Sequence, residues 1–309
     1  MYDSDTWTTG TVRIAGQVLS DAVAISAGED CSLAIKADGV VVGWGANQFG
    51  RAIGVGASDA QPTNGLVALG GQLLRGVASV SAGGGCSLAV LGDGKVAAWG
   101  QGDVPAALNS VRAIASRGPY CLALRSNGTL VGWTSAPWAV MDVPKDLSNV
   151  VAIAVGSRFL ERSMALKKDG TVVVWRAGEP HHEEIPAGVT NVVAIAAGKG
   201  HSLALKKDGT VFGWGDNSLC QAIGVPIATG FAAALVTVGG QTLSNVVAIA
   251  AAGDYSLALK ADGTVVAWGG DKRWFAEVPA GLTGVTAISA GENHCLAITT
   301  NRSPTVLKR

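Results

Sequence analysis

Apolar residues recur along this chain in short alternating runs separated by glycine-rich turns, and the whole pattern returns several times. From Val193 to Gly215 the sequence reads VAIAAGKGHSLALKKDGTVFGWG. Val23 to Gly45 reads VAISAGEDCSLAIKADGVVVGWG, and Val77 to Gly100 reads VASVSAGGGCSLAVLGDGKVAAWG. More worn copies span Arg112 to Trp133, Val151 to Trp175 and Val247 to Gly269, and a seventh opens at Val285 and loses the pattern after Thr299. Each copy holds three runs with period-2 alternation, which predicts a meander of three short strands.

The first run is rich in Ala and Gly, side chains that suit a strand crowded near a central axis. The second alternates large and small residues, as Leu203 and Leu205 do with Ser202 and Ala204. An Asp-Gly or Asn-Gly pair follows in six copies, at Gly39, Gly94, Gly128, Gly170, Gly209 and Gly263. That dipeptide supplies the positive φ of a tight hairpin. The third run ends in Trp44, Trp99, Trp133, Trp175, Trp214 and Trp268. No copy buries both of its faces alone, whereas a ring of them does. The expectation is an all-β fold, a single seven-bladed β-propeller over residues 1–309. The seventh copy lacks its Trp, with Leu307 at that spacing, and Trp7 lies 18 positions before Ile25, between the other spacings of 15 and 20. This predicts a ring closed by pairing of the N- and C-terminal segments, with Trp7 supplying the missing tryptophan. The rival is a strand over Thr305 to Leu307, which Pro304 disfavours.

The 23 basic and 23 acidic residues cancel, so no electrostatic footprint for nucleic acid or an anionic membrane is present. No apolar run reaches the ~18 residues of a membrane span. Five scattered cysteines form no disulfide framework, and the start Met-Tyr-Asp-Ser-Asp-Thr shows no secretory signal, so the cytoplasm is the default expectation.

The pattern AGxxHSLALKxDGTVxxWG, with WGANQFGRAIGVG after Trp44 and WGDNSLCQAIGVP from Trp214, resembles the repeat of the regulator of chromosome condensation family. The connections VPAALNSV, VPKDLSNV, IPAGVTNV and VPAGLTGV are similar to those of compact bacterial members, including propeller-type β-lactamase inhibitor proteins. The resemblance implies a β-propeller. In the inhibitor proteins it implies that the loop-rich end grips a target enzyme. The exchange activity of the eukaryotic protein that names the family is not carried over, because no segment matches an extra exchange-promoting wedge.

Alternating strand directions put the Asp-Gly hairpins at one end of the ring and the loops after the first strand and after each Trp at the other. The hairpin end repeats Lys and Asp, as in Lys206, Lys207 and Asp208, and reads as a solvated face. The other end is diverse. Its candidate partner-binding residues are Phe49, Trp138, Phe159, Arg162, Tyr255, Trp274 and Phe275, since aromatic and Arg side chains on loops over a rigid scaffold are the usual interface anchors. The leading expectation is a non-enzymatic protein-binding propeller that needs no cofactor and has a protein partner, with inhibition of an enzyme one form of that binding.

The alternative is an enzyme or a small-molecule or metal binder at the mouth of the central channel. The position before the second-strand Ser is occupied around the ring by Cys31, Cys86, Tyr120, Arg162, His201, Tyr255 and His294. Ring closure makes His294, Cys31 and Cys86 neighbours, a set able to offer zinc two thiolates and an imidazole, or to pair a thiol with a base. Against it, this position shares strand parity with Leu33 and Ile35 and so points into packing between blades, where free Cys behaves as a small hydrophobe. His181, His182, Glu183 and Glu184 lack the helical spacing of an HExxH site and read as a solvated loop.

Overall fold

The computed structural model describes residues 10–55, 63–136, 139–156, 162–176, 182–270, 278–301 and 303–307. They form seven antiparallel sheets of three or four strands, which we number as blades 1 to 7 in the order of their inner strands. The inner strands are Ala22–Ala27, Val77–Ala82, Val111–Arg117, Val150–Val155, Val192–Ala197, Val246–Ala252 and Val285–Ala290. Each touches the inner strand of the next blade, and the last touches the first, so the contacts run in a cycle.

Small side chains are what this arrangement demands. A Cβ added at Gly28 would stand 2.8 Å from the Gly83 carbonyl oxygen of blade 2, and one at Gly291 would stand 2.3 Å from that of Gly28. Every inner strand also slips register against its middle strand near its start, as between Ala22 and Ala24. The bulge turns one residue out of the packing, which leaves Val23, Val193 and Val247 exposed.

The third-strand tryptophans pack backward onto the preceding blade. Trp99 joins Leu33 and Ile35 of blade 1, Trp175 joins Leu122 and Leu124 of blade 3, and Trp268 joins Leu203 and Leu205 of blade 5. The Trp175 Nε1 also donates to the Asp142 carbonyl at 2.8 Å. In blade 7 the third strand is Pro304–Leu307, and Leu307, opposite Cys295, fills the tryptophan position against Tyr255 and Leu257 of blade 6. The expectation that Trp7 does so is corrected; Trp7 itself lies outside the described residues. Pro304 is tolerated because it opens the strand, and its carbonyl accepts from the Val12 amide at 2.9 Å.

The two chain ends do pair. Gly10–Thr11 adds a fourth, outer strand beside Thr305 and Val306. Blades 1 and 5 have outer strands as well, Thr63–Leu66 and Phe231–Leu235. Each of these three outer strands leads into a small hairpin over Arg13–Val18, Ala68–Leu73 or Thr237–Thr242. Among the described residues the remaining blades show three strands and reach the next blade through a proline turn, as where the Leu108 amide bonds the Pro105 carbonyl.

Candidate functional site

Backbone hydrogen bonds tie the two loop families together at one end of the ring. The Ala46, Gln101, Ser135 and Asp216 amides, at or just past the ends of four third strands, donate to the carbonyls of Asp30, Gly85, Pro119 and Gly200 in the loops after the inner strands. At the opposite end the Gly39, Gly94, Gly128, Gly209 and Gly263 carbonyls of the hairpins accept from the first amide of the next inner strand. The expected division between a loop-rich end and a hairpin end is therefore present in the backbone.

Beneath the loops runs a buried girdle built from the position before the second-strand Ser. Each side chain reaches forward to the following blade. His294 Nε2 lies 2.5 Å from Ser32 Oγ, and His201 Nε2 lies 2.7 Å from Ser256 Oγ. Ser256 Oγ donates to the Gln221 carbonyl at 2.8 Å, so its oxygen accepts from His201, which places the imidazole proton on Nε2. The Tyr255 hydroxyl donates to the Gly291 carbonyl at 2.5 Å, and Cys31 Sγ faces the Gly83 carbonyl at 3.9 Å. Cys86 Sγ stands 3.3 Å from Cys121 Sγ of blade 3. Arg162 donates through Nη1 to the Gly200 carbonyl at 3.3 Å and through Nη2 to Glu183.

Burial sets the chemistry of these groups. It pushes His201 down to about 3, helped by repulsion from Arg162, and His294 down to about 4, with Asp30 opposing and Arg117 adding. Burial likewise raises the Cys31 thiol to about 11. Both imidazoles are therefore neutral and both are held within blade contacts. His294, Cys31 and Cys86 do not converge: each is engaged with its own neighbouring blade. Among the described residues no group of three or more His, Cys, Asp or Glu is placed to hold a metal ion.

Two of the expected partner-binding residues are corrected by the same geometry. Tyr255 is 0% and Arg162 4% exposed, so both are spent on cohesion between blades and offer no surface. Phe49 is different. It is 60% exposed and sits at φ +57°, a left-handed conformation that a bulky side chain rarely adopts. The loop beneath it is fixed by Asn47, whose Oδ1 accepts from the Ala52 and Ile53 amides at 2.8 and 3.1 Å and whose Nδ2 donates to the Val55 carbonyl at 3.1 Å. Arg51 then anchors the loop to blade 2, donating to the Gly84 carbonyl, while its own carbonyl accepts from Ser87 Oγ at 2.7 Å. Trp138, Phe159, Trp274 and Phe275 lie outside the described residues, as does His181.

Arg51 and Arg117 went unread in the sequence, and the reading of Glu183 as part of a solvated loop is corrected. Arg51 locks the Phe49 loop. Glu183 bridges Arg162 and Arg176, the latter at 2.9 Å, so the His-His-Glu-Glu run contributes a buried-side ion pair. Arg117 of blade 3 extends across the ring to blade 7, where its Nη2 donates to the Ala290 carbonyl at 3.1 Å. Its signal was visible: six copies carry Gly or Ala where blade 3 carries Arg117. No helix among the described residues is long and apolar enough to cross a membrane.

A model of the Regulator of chromosome condensation (RCC1) repeat matches residues 22–51 and 192–219, which cover the first three strands of blades 1 and 5 and the loops that follow. Yeast RCC1 (Prp20), solved bound to Kap60, is 18% identical over 93% of this chain and 80% of that one, with a TM-score of 0.67. A second structure of Prp20p from Saccharomyces cerevisiae, described with its binding to Gsp1p and histones, is 18% identical over 93% and 83%, with a TM-score of 0.65. The CRINKLY WD40 ectodomain of the Arabidopsis thaliana receptor kinase ACR4 is 18% identical over 94% and 96%, with a TM-score of 0.63. At such identities the likeness is one of fold. No curated protein matches the chain in sequence.

Proposed function

Because the chain is a β-propeller carrying repeats of the regulator of chromosome condensation type, we propose that it works as a seven-bladed, single-domain protein-binding module that engages a protein partner through its loop-rich end. The observation that carries this reading is Phe49. A residue held at positive φ costs about 1–3 kcal/mol, and such strain persists only where the surroundings over-determine it. Here Asn47 and Arg51 hold the loop while the aromatic ring stays in solvent, where it contributes nothing to the core. Exposed aromatics on a rigid frame are the residues that dominate binding energy once a partner covers them.

The relatives named above are described in complex with, or binding to, other proteins, which favours the same use of the fold here. Trp138, Phe159, Trp274 and Phe275 join Phe49 as proposed anchors on the strength of their loop positions, and inhibition of an enzyme is the outcome we propose if the partner is one. The buried girdle argues for cohesion and against catalysis, since its neutral imidazoles and thiols are occupied between blades.

Affinity capture from the lysate of the source organism tests this, with the native chain and a Phe49→Ala/Trp138→Ala/Trp274→Ala variant as baits. A protein retained by the native bait and lost by the variant is expected, with loss of about 2 kcal/mol or more at a true anchor. Identical captures on both baits overturn the assignment.

A further inference from the structure

At three joints between blades the girdle pairs the same two positions, and one of the three differs in chemistry. From blade 7 to blade 1 the pair is His294 with Ser32, and from blade 5 to blade 6 it is His201 with Ser256. From blade 2 to blade 3 it is Cys86 with Cys121, two thiols in contact at 3.3 Å. Cys121 stands where five other copies have Ser32, Ser87, Ser163, Ser202 and Ser256. Thus geometry that elsewhere makes a hydrogen bond here brings two sulfurs together.

We propose that Cys86 and Cys121 form an oxidisable pair, which a small peroxide converts into a disulfide joining blades 2 and 3. Both residues are nearly sealed, at 2% and 0% exposure, so an oxidant the size of hydrogen peroxide is admitted in preference to a bulky disulfide such as oxidised glutathione. The sulfurs need to close from 3.3 Å to the ~2.05 Å of a disulfide, a shift within reach of small side-chain rotations. The two thiols are also unequal. Contact with Cys121 pulls the Cys86 thiol down, while contact with Cys86 and burial push the Cys121 thiol up.

The chemistry balances without a further reagent. The Cys86 thiolate attacks one peroxide oxygen; an S–O bond forms, the O–O bond breaks, and hydroxide leaves to take up a proton as water. The Cys121 sulfur then attacks the Cys86 sulfur of the sulfenic acid. An S–S bond forms, the S–O bond breaks, and the departing oxygen leaves as a second water with the proton of Cys121. Two thiols are oxidised by two electrons in all, and one peroxide is reduced to two waters. Cys31 makes a built-in contrast, because burial holds its thiol protonated and its sulfur is engaged with the Gly83 carbonyl and Ser87.

The test treats the full native chain with stoichiometric hydrogen peroxide, followed by denaturing alkylation and non-reducing peptide mass spectrometry. A tryptic peptide over residues 76–95 linked to one over residues 118–125 is expected, about 2 Da lighter than the sum, reversed by dithiothreitol. Cys31 is expected to remain alkylatable. With Cys121→Ser the link disappears, and Cys86 is trapped by dimedone as the sulfenic acid. Oxidation of Cys31 or Cys220 ahead of this pair overturns the proposal, and so does over-oxidation of Cys86 with no link formed. The native chain alone is decisive if the variant does not fold.

Discussion

The propeller contains two kinds of blade. Among the described residues, blades 1, 5 and 7 carry an outer fourth strand and a small hairpin, while blades 2, 3, 4 and 6 show three strands and continue through a proline turn. Both solutions deliver one apolar residue to the same place. In the long blades the Leu74 and Leu243 amides bond the Val67 and Val236 carbonyls; in the short ones the Leu108 and Leu147 amides bond the Pro105 and Pro144 carbonyls. All four leucines are buried, at 7–9% exposure. The core of the ring is thus indifferent to the length of the connection, and the extra chain of a long blade is free to carry other work. Blade 1 uses it to hold Phe49 in solvent. Blade 5, at the matching position, has the half-buried Leu219.

This contrast is sharpened first by removing what holds the long connections. Asn217 repeats the bonding of Asn47, its Oδ1 accepting from the Ala222 and Ile223 amides and its Nδ2 donating to the Val225 carbonyl. Asn47→Ala and Asn217→Ala leave buried amides without acceptors and are expected to cost about 2–3 kcal/mol each in urea unfolding. A loss under ~0.5 kcal/mol at both would mean that the long loops hold themselves.

Acid probes the long blades by a different route. His201 and His294 both stand in long blades, and both are neutral in the fold, at about 3 and about 4, against ~6.5 unfolded. Their pKa values are depressed, so the unfolded chain binds more protons. Stability is full above pH ~6.5 and declines as pH falls toward 4, with a slope approaching two protons. The double substitution His201→Gln/His294→Gln is expected to flatten that interval; an unchanged slope assigns the acid sensitivity elsewhere.

The smallest effect has the opposite sign. Phe49→Gly relieves the left-handed strain and is expected to stabilise the fold by roughly 0.5–1 kcal/mol while weakening partner capture. A stability loss would show that Phe49 supports its loop, which would undo its reading as an anchor.

Most of the ring was legible because one pattern recurs and its parity can be checked copy against copy. The girdle was legible as packing for that reason: Cys31 and His294 share the parity of Leu33 and Ile35, and they are buried as that implies. Arg162 and Tyr255 obey the same parity, yet their polar tips suggested surface, whereas each tip finds a carbonyl in the next blade. The closing tryptophan was misplaced because spacing measures distance along the chain, and a leucine satisfied the pocket at the expected register. The three hairpins were visible in the parallel segments RIAGQVL, ALGGQLL and TVGGQTL, which no strand-meander template contains. Arg117 reaches its acceptor across the ring, a contact that periodicity along one blade does not encode.

The shared blade at the chain ends has a consequence for biosynthesis. Gly10 and Thr11 leave the ribosome before any of the seven inner strands, yet their partners Thr305 and Val306 emerge only after all of them. The same delay applies at the joint between blades 7 and 1, where the Ala27 amide awaits Ser289 Oγ and Ser32 awaits His294. Six blades can therefore stack as an open arc while the chain is still being made, with the flank of blade 1 bare throughout. Closure is a single event that waits for blade 7, and until it happens that flank is the surface on which a chaperone, or a second unfinished arc, competes with blade 7 itself.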